Sequence, residues 1–347
     1  MKFKIYFLIL VFVACGKKED EFKSSFANVD IVNLNSQEVR LKTDISFSSM
    51  FKMEYCDSLL IVSEIRDPEF DLKIVDLERG TVRNFAKRGK GPGEIKNRAV
   101  NFSVDKENKN LYLVDGKDVL IYSFDSLKRN VENPFKSFTM KLEEFRMREN
   151  TYFQDNIIGV FGIDHQNFGI YNQEDGSFIK KSTPDNEDLP KGVLNNQIFL
   201  VSHPRRSKVA YFYYSSAIFG IINIDGKKLE INENFYWATP SKETRSGPKT
   251  SVDHTDEERN SFITATADAN FIYALYSGKS MNVNSMEELT DTFLSSIVYV
   301  FDWDGTPVKK IKLDQEVRSI SVDSENNILY AASYKDDIPN LIKFDLK

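Results

Sequence analysis

Several residue groups in this 347-residue sequence have the types and spacing to do chemistry. Ser49-Met50-Phe51-Lys52 has the Ser-x-x-Lys spacing in which a lysine amine activates a serine nucleophile. Here it falls in a stretch that reads as β-strand rather than at a helix start, and the partner motifs are missing, so the spacing reads as chance. Asp302-Trp303-Asp304-Gly305 opens like a calcium loop, but position twelve is Leu313, which cannot supply the bidentate carboxylate. A hairpin turn is the simpler reading. The glycines of Arg88-Gly89-Lys90-Gly91-Pro92-Gly93 could cradle a phosphate, yet such a loop needs a following helix and a Gly-Lys-Ser/Thr ending. Gly278-Lys279-Ser280 has that ending, but Tyr273 stands where the first glycine should be. His254, among Asp253, Asp256, Glu257 and Glu258, could hold a divalent cation; a solvated acidic loop is the alternative. His165 and His203 read as packing or turn residues. No His-Glu-x-x-His, Gly-x-Ser-x-Gly or Cys-x-x-Cys occurs.

Cations remain as candidates for a binding surface. Arg88, Lys90, Arg98, Arg146, Arg148 and Arg245 lie near the starts of inner strands or in neighbouring loops, with Glu94 and His254 beside them in sequence. A guanidinium fork takes carboxylate or sulfate through two parallel hydrogen bonds. The simpler reading pairs each arginine with one of the 52 acids. The net charge is −6, and beyond the first segment no more than two basic residues are adjacent, which argues against nucleic acid, whose binding needs clustered cations. No nucleotide is expected either. Three histidines and two cysteines leave little for a metal centre; no cofactor is expected, with calcium or zinc the ions to test.

The first residues read as an address. Lys2 and Lys4 precede an apolar run, Ile5 to Ala14, whose ten residues span about 15 Å as a helix, half of a bilayer core. This has the layout of a secretory signal. Phe12-Val13-Ala14-Cys15 resembles a bacterial lipobox, in which the cysteine is acylated and becomes residue one. The following Gly16-Lys17-Lys18-Glu19-Asp20-Glu21 resembles the signal that sends lipoproteins to the cell surface in one group of Gram-negative bacteria. A solvated tether over 15–28 accounts for it equally well. Removing 1–14 deletes two lysines and moves the charge from −6 to −8. Cys56 is then the one thiol left besides the lipidated Cys15, so no disulfide staple is expected and stability must come from packing.

The elements that position these groups repeat. Aligning second-strand centres gives Leu60, Tyr112, Ile158, Tyr211, Tyr273 and Tyr330, with gaps of 52, 46, 53, 62 and 57 residues. Third strands are expected to end at Asp76, Asp125, Asn172, Asp225, Asp302 and Asp345. Asx turn chemistry explains that column better than a metal cluster does. Short strands in groups of four at periods near 50 mark an all-β, six-bladed β-propeller. The last copy stops after its third strand, so Val29–Leu34 (or Val39–Thr43) is expected to close the ring, with 29–347 as one domain. Arg88-Gly89-Lys90-Gly91-Pro92-Gly93-Glu94-Ile95 resembles the Gly-x-Gly-Pro-Gly-x-hydrophobic signature of NHL-type propellers, where it joins the outer strand of one blade to the inner strand of the next. With the lipobox, the whole is similar to the TolB-like six-bladed lipoproteins. That resemblance implies fold and location and carries over no catalytic residue.

Strands alternate direction within a blade, so second-to-third turns and blade-to-blade connections emerge on one face. The unusual segments obey this parity: Arg66–Phe70, Arg88–Asn97, Thr183–Asn196, Thr239–Asn260, Gly278–Ser295 and Tyr334–Pro339. Ser285-Met286-Glu287-Glu288 reads as a capping box, and Thr255-Asp256-Glu257-Glu258 as a second, shorter one. Both could lid the tunnel or merely cover an apolar flank of blade five. Binding surfaces sit on such loops. The expectation is a lipid-anchored, non-catalytic binding or scaffold propeller of the bacterial outer membrane, taking an envelope protein, peptide or glycan. The alternative is a metal-dependent hydrolase or lactonase-like propeller, whose cation would fall to residues such as Asn101, Asn196 and Asp253.

Overall fold

Six blades follow one another along the chain, as the repeat requires: four are separate four-stranded antiparallel sheets, and the last two share one eight-stranded sheet. The computed structural model describes residues 22, 24–42, 45–91, 93–97, 102–141, 147–153, 156–161, 167–182, 197–225, 228–235, 242–246, 249–253, 258–335 and 338–346. Blade one is β3 (Met53–Cys56), β4 (Leu59–Ser63), β5 (Phe70–Asp76) and β6 (Thr81–Lys87). Blade two is β7 (Phe102–Asp105), β8 (Asn110–Asp115), β9 (Asp118–Ser123) and β10 (Lys136–Thr139). Blade three runs from β11 (Met147–Phe153) through β12 (Asn156–Phe161) and β13 (Asn167–Asn172) to β14 (Phe178–Ser182). Blade four is β15 (Ile198–Ser202), β16 (Lys208–Tyr213), β17 (Ile218–Asp225) and β18 (Lys228–Phe235). A hairpin, β19 (Lys242–Ser246) and β20 (Lys249–Asp253), follows. Blade five is β21 (Arg259–Ala267), β22 (Phe271–Ser280), β23 (Ser295–Asp302) and the first half of β24 (Pro307–Asp323). β24 passes without a loop into blade six, where its second half pairs with β25 (Ile328–Lys335), which pairs with β26 (Ile338–Asp345). Among the described residues no helix is long and apolar enough to cross a membrane.

Each interface between neighbouring blades holds its own apolar cluster. Leu59, Ile74 and Phe85 meet Leu111 and Phe124 between blades one and two; Tyr112 stacks on Tyr152 between two and three, ring centroids 3.5 Å apart. The same holds around the ring to Val62 and Val75, which pack on Ala332 and Leu341 between blades six and one. Blades stacked face to face bury both sides of their middle strands, so β4 is buried at all five positions. This is why the apolar runs are nearly continuous rather than alternating. Gly220 belongs to this packing: it is paired with Tyr211, and a Cβ there would lie 2.5 Å from the Asn232 carbonyl.

All six expected second-strand centres lie in second strands, and the acidic column makes turns. Asp302 Oδ1 accepts from Asp304 N–H (2.9 Å) and Thr306 N–H (2.8 Å), so the calcium-like start is a hairpin. Asp105 and Asp323 bond the backbone in the same way in the matching copies, at 3.0–3.2 Å. One column member differs: β9 ends at Ser123, and Asp125 lies in a helical turn, α1 (Phe124–Lys128), because Phe124 and Leu127 both bury at one-turn spacing.

The chain's first described segment differs most from expectation. Val29–Leu34 does not close blade six. Asp30–Leu34 (β1) adds a fifth strand to blade five, parallel to Lys309–Leu313 of β24. Ser36–Glu38 (β2) is the closing strand, antiparallel to β26, and Val39 N–H continues it to the Leu341 carbonyl at 3.1 Å. One run of chain thus covers two outer edges. Phe22 and Phe26, inside the expected tether, are core residues instead. They insert among Phe262, Tyr276, Tyr299 and Phe301 because that cluster between blades four and five is aromatic and open to the incoming chain. Cys15 lies outside the described residues. Cys56 is buried beneath blade one, which pushes its thiol up to about 12.

Candidate functional site

The expected cationic candidates divide sharply. Arg88 directs its Nε to the buried carboxylate of Asp71, while its other nitrogens donate to the carbonyls of Asp67 (2.6 Å) and Pro68 (3.1 Å). It is a structural arginine that fixes the Arg66–Phe70 turn, not a free ligand fork. Glu94 accepts from Gly91 N–H (2.9 Å) and pairs with Lys87 (3.1 Å), contacts that hold its carboxyl below the usual range. A Cβ at Gly89 would collide with that carboxylate. The glycine loop therefore wraps its own acid, between the outer strand of blade one and the inner strand of blade two, leaving Lys90 exposed at its tip. Arg148 stands in β11 and Arg245 in β19. Arg98, Arg146, His254, Asn101, Asn196, the 183–196 connection and residues 255–257 lie outside the described residues; Asp253 ends β20.

The other motif matches dissolve into packing. Ser49 Oγ accepts from Arg66 N–H (3.3 Å), whereas Lys52 Nζ donates to the Phe102 carbonyl (2.7 Å), so neither serves the other. His203 Nδ1 accepts from the N–H groups of Arg205 and Arg206, both 2.9 Å, which caps a turn. Among the described residues no three histidine, cysteine or acidic side chains gather to hold a metal.

A different cluster occupies the loop-rich end of the tunnel. Arg318 begins the inner strand of blade six, and its guanidinium lies over the faces of two rings, Phe51 at 5.3 Å and Phe293 at 5.4 Å. Phe51 leads into β3 of blade one. Phe293 ends the insertion of blade five, whose helix α2 (Met286–Asp291) is capped by Ser285 accepting from Glu288 N–H at 3.1 Å. That helix buries no residue, so it does not cover an apolar flank. The insertion is instead moored at the mouth. Asn260 and Ser277 donate to the Thr292 carbonyl (3.0 and 2.7 Å), and Lys279 bridges Asp291 (3.2 Å) and Glu316 (2.9 Å).

Electrostatics at Arg318 are set by burial, which weakens its hold on the proton, and by Tyr334, Arg66 and Tyr214. Among the described residues no carboxylate figures in these contributions. Among the described residues none accepts a hydrogen bond from it. Tyr334 accepts from Met50 N–H (3.3 Å), and Arg66 belongs to the turn that Arg88 and Lys73 brace through Asp67 and Pro68. Glu64 beneath them is fully buried and accepts from Ser49 N–H (2.9 Å), with Lys73 at 3.6 Å. The connection at Tyr334–Pro339, expected to be long, is a tight hairpin in which Lys335 pairs with Ile338.

The opposite end of the tunnel is closed. Lys106 Nζ of blade two reaches the Ala267 carbonyl of blade five, directly across the ring, at 3.0 Å. The remaining space there, about 30 Å³ between Glu54, Ser103, Thr151 and His203, has room for water alone. A larger groove of about 510 Å³ beside α1 has three of its four cations paired, Arg79 with Asp76, Arg83 with Glu132 and Lys128 with Asp57, while Arg129 donates to the Asp125 carbonyl at 3.2 Å. Sequence reasoning missed Arg318, although the signal was present: it stands at the start of an inner strand, the placement that singled out Arg146 and Arg148.

The family described as TolB-like 6-blade propeller-like matches residues 27–325. No curated protein matches the sequence. Among solved structures, the chain is similar to a member of the DUF4221 family from Bacteroides vulgatus (9% identity, 90% of this chain, 95% of that one, TM-score 0.57). It is also similar to a protein described as exported, from Bacteroides fragilis (11% identity, 92% of this chain, 100% of that one, TM-score 0.56). At these identities the likeness is one of fold.

Proposed function

Because the chain belongs to the TolB-like six-bladed propeller family, we propose that it is a non-catalytic binding or scaffold propeller of the bacterial envelope that engages its partner through the loop-rich face. In this reading Cys15 carries a lipid that anchors the protein in the outer membrane, and export agrees with the description of the similar Bacteroides fragilis protein. The observation that carries the reading is Arg318, a half-buried cation set against the rings of Phe51 and Phe293 and paired with no acid among the described residues, at the one end of the tunnel that Lys106 does not close. Holding a half-buried charge without an acidic partner among the described residues costs stability, which a ligand carboxylate would offset.

The test compares binding of the full chain to detergent-solubilised envelope before and after Arg318→Ala, with Arg129→Ala on the plain face as control. The reading expects the first change to weaken binding at least tenfold and the second to leave it unaltered. Equal behaviour of the two variants would refute it. In the same cells, Cys15→Ala should move the protein out of the membrane fraction; retention there would remove the anchor from the account.

A further inference from the structure

Resting on that reading, we infer that the mouth takes the terminal carboxylate of a peptide or protein chain, with the Arg318 fork as its receptor. Guanidinium nitrogens donate in the plane of the group, five N–H bonds in all. Phe51 and Phe293 set their ring faces against the group, and among the described residues nothing accepts from its nitrogens. Two parallel donors match the two oxygens of a carboxylate. Lys would supply the charge without the fork.

Three features favour a chain end over an acidic sugar. The ring faces on which a pyranose would stack are already spent on Arg318. The tunnel is blind, because Lys106 bridges to Ala267 at the far end, so a ligand enters tip first rather than threading through. The phenol of Tyr334 accepts from Met50 N–H, and among the described residues no acceptor takes its proton, which an arriving oxygen could accept. Arg66, exposed on the braced turn of blade one, adds a second positive charge on the approach. Shielded from water by the two rings, the Arg318–carboxylate contact would be stronger than an exposed pair.

The experiment passes a pool of N-acetylated random hexapeptides with free C-terminal carboxylates over the immobilised full chain, and then the same pool amidated at that end. Amidation should lower retention at least tenfold. Arg318→Gln should lower retention of the free-acid pool by a similar factor and abolish the difference between pools, as coupled partners require. Arg318→Lys should fall between. Equal retention of the two pools, or preference for a galacturonate oligomer over the peptides, would overturn the inference. Circular dichroism of each variant confirms folding, and should Arg318→Gln unfold, the amidation comparison on the unchanged chain decides alone. If neither pool binds while Arg318→Ala still abolishes envelope binding, the carboxylate assignment fails and the binding face stands. If envelope binding also survives Arg318→Ala, the face itself is wrong.

Discussion

His203 shows how a residue that looks chemical can be structural. Its ring is buried against Trp303, with centroids 4.7 Å apart, and its Nδ1 is committed to two backbone N–H groups. Burial first, then Arg206, brings its pKa from 6.5 down to about 4. The unfolded chain therefore takes up a proton near pH 6.5 that the folded chain refuses until about pH 4. Stability should be full above pH 6.5 and decline by about 2–3 kcal/mol as the pH falls to 4, a slope that His203→Asn should flatten in chemical denaturation. Arg88 is the parallel case among cations. Asp71 beside it is fully buried, so Arg88→Ala takes the ion-pair partner from a buried carboxylate and should cost about 2–4 kcal/mol. If denaturation instead finds Arg88→Ala neutral, the brace under Arg66 is misassigned. Neither role was legible in sequence, because Asp71 meets Arg88 only when the outer strand of blade one returns beside the turn.

At the scale of elements, strand order and period were readable while edge partners were not. Periodicity reports which residues bury, and every second strand from Leu60 to Tyr330 buries on both faces. The pairing of Val29–Leu34 was misjudged because an apolar strand fits any open edge, and here the outer edge of blade five wins through Phe22 and Phe26, which pin the preceding chain. Phe26→Ala should destabilise by about 3 kcal/mol or more through the lost aromatic packing. The α2 insertion predicts the reverse. Its helix buries nothing, and Thr292 Oγ1 lies 3.8 Å from Met281 Sδ, so replacing 282–291 by a short glycine linker should leave the melting temperature within a few degrees. A collapse of the thermal transition in that variant would show the insertion to be core. The capping box was legible because it is local; Phe293 stacking on Arg318 was not, because it joins blades five and six.

For the whole molecule, the ring has one plugged end and one elaborated end, and the proposed function belongs to the second. The propeller, its blade count and its two unequal faces followed from repeat spacing and strand parity. The Arg318 mouth did not, since four blades contribute to it. The proposed binder needs no metal, so the melting temperature of the full chain should be unchanged by EDTA and by added calcium or zinc; a reversible drop would revive the hydrolase alternative. The most direct test of the central claim is hydroxyl-radical labelling of the protein in native envelopes and after purification. Met286 is 76% exposed on the loop-rich face and Phe135 59% exposed on the plain side. The account predicts that Met286 and Phe293 are oxidised several-fold more slowly in the envelope, with Phe135 labelled equally in both states. Protection of Phe135 with Met286 left open would place the partner on the wrong face and contradict it.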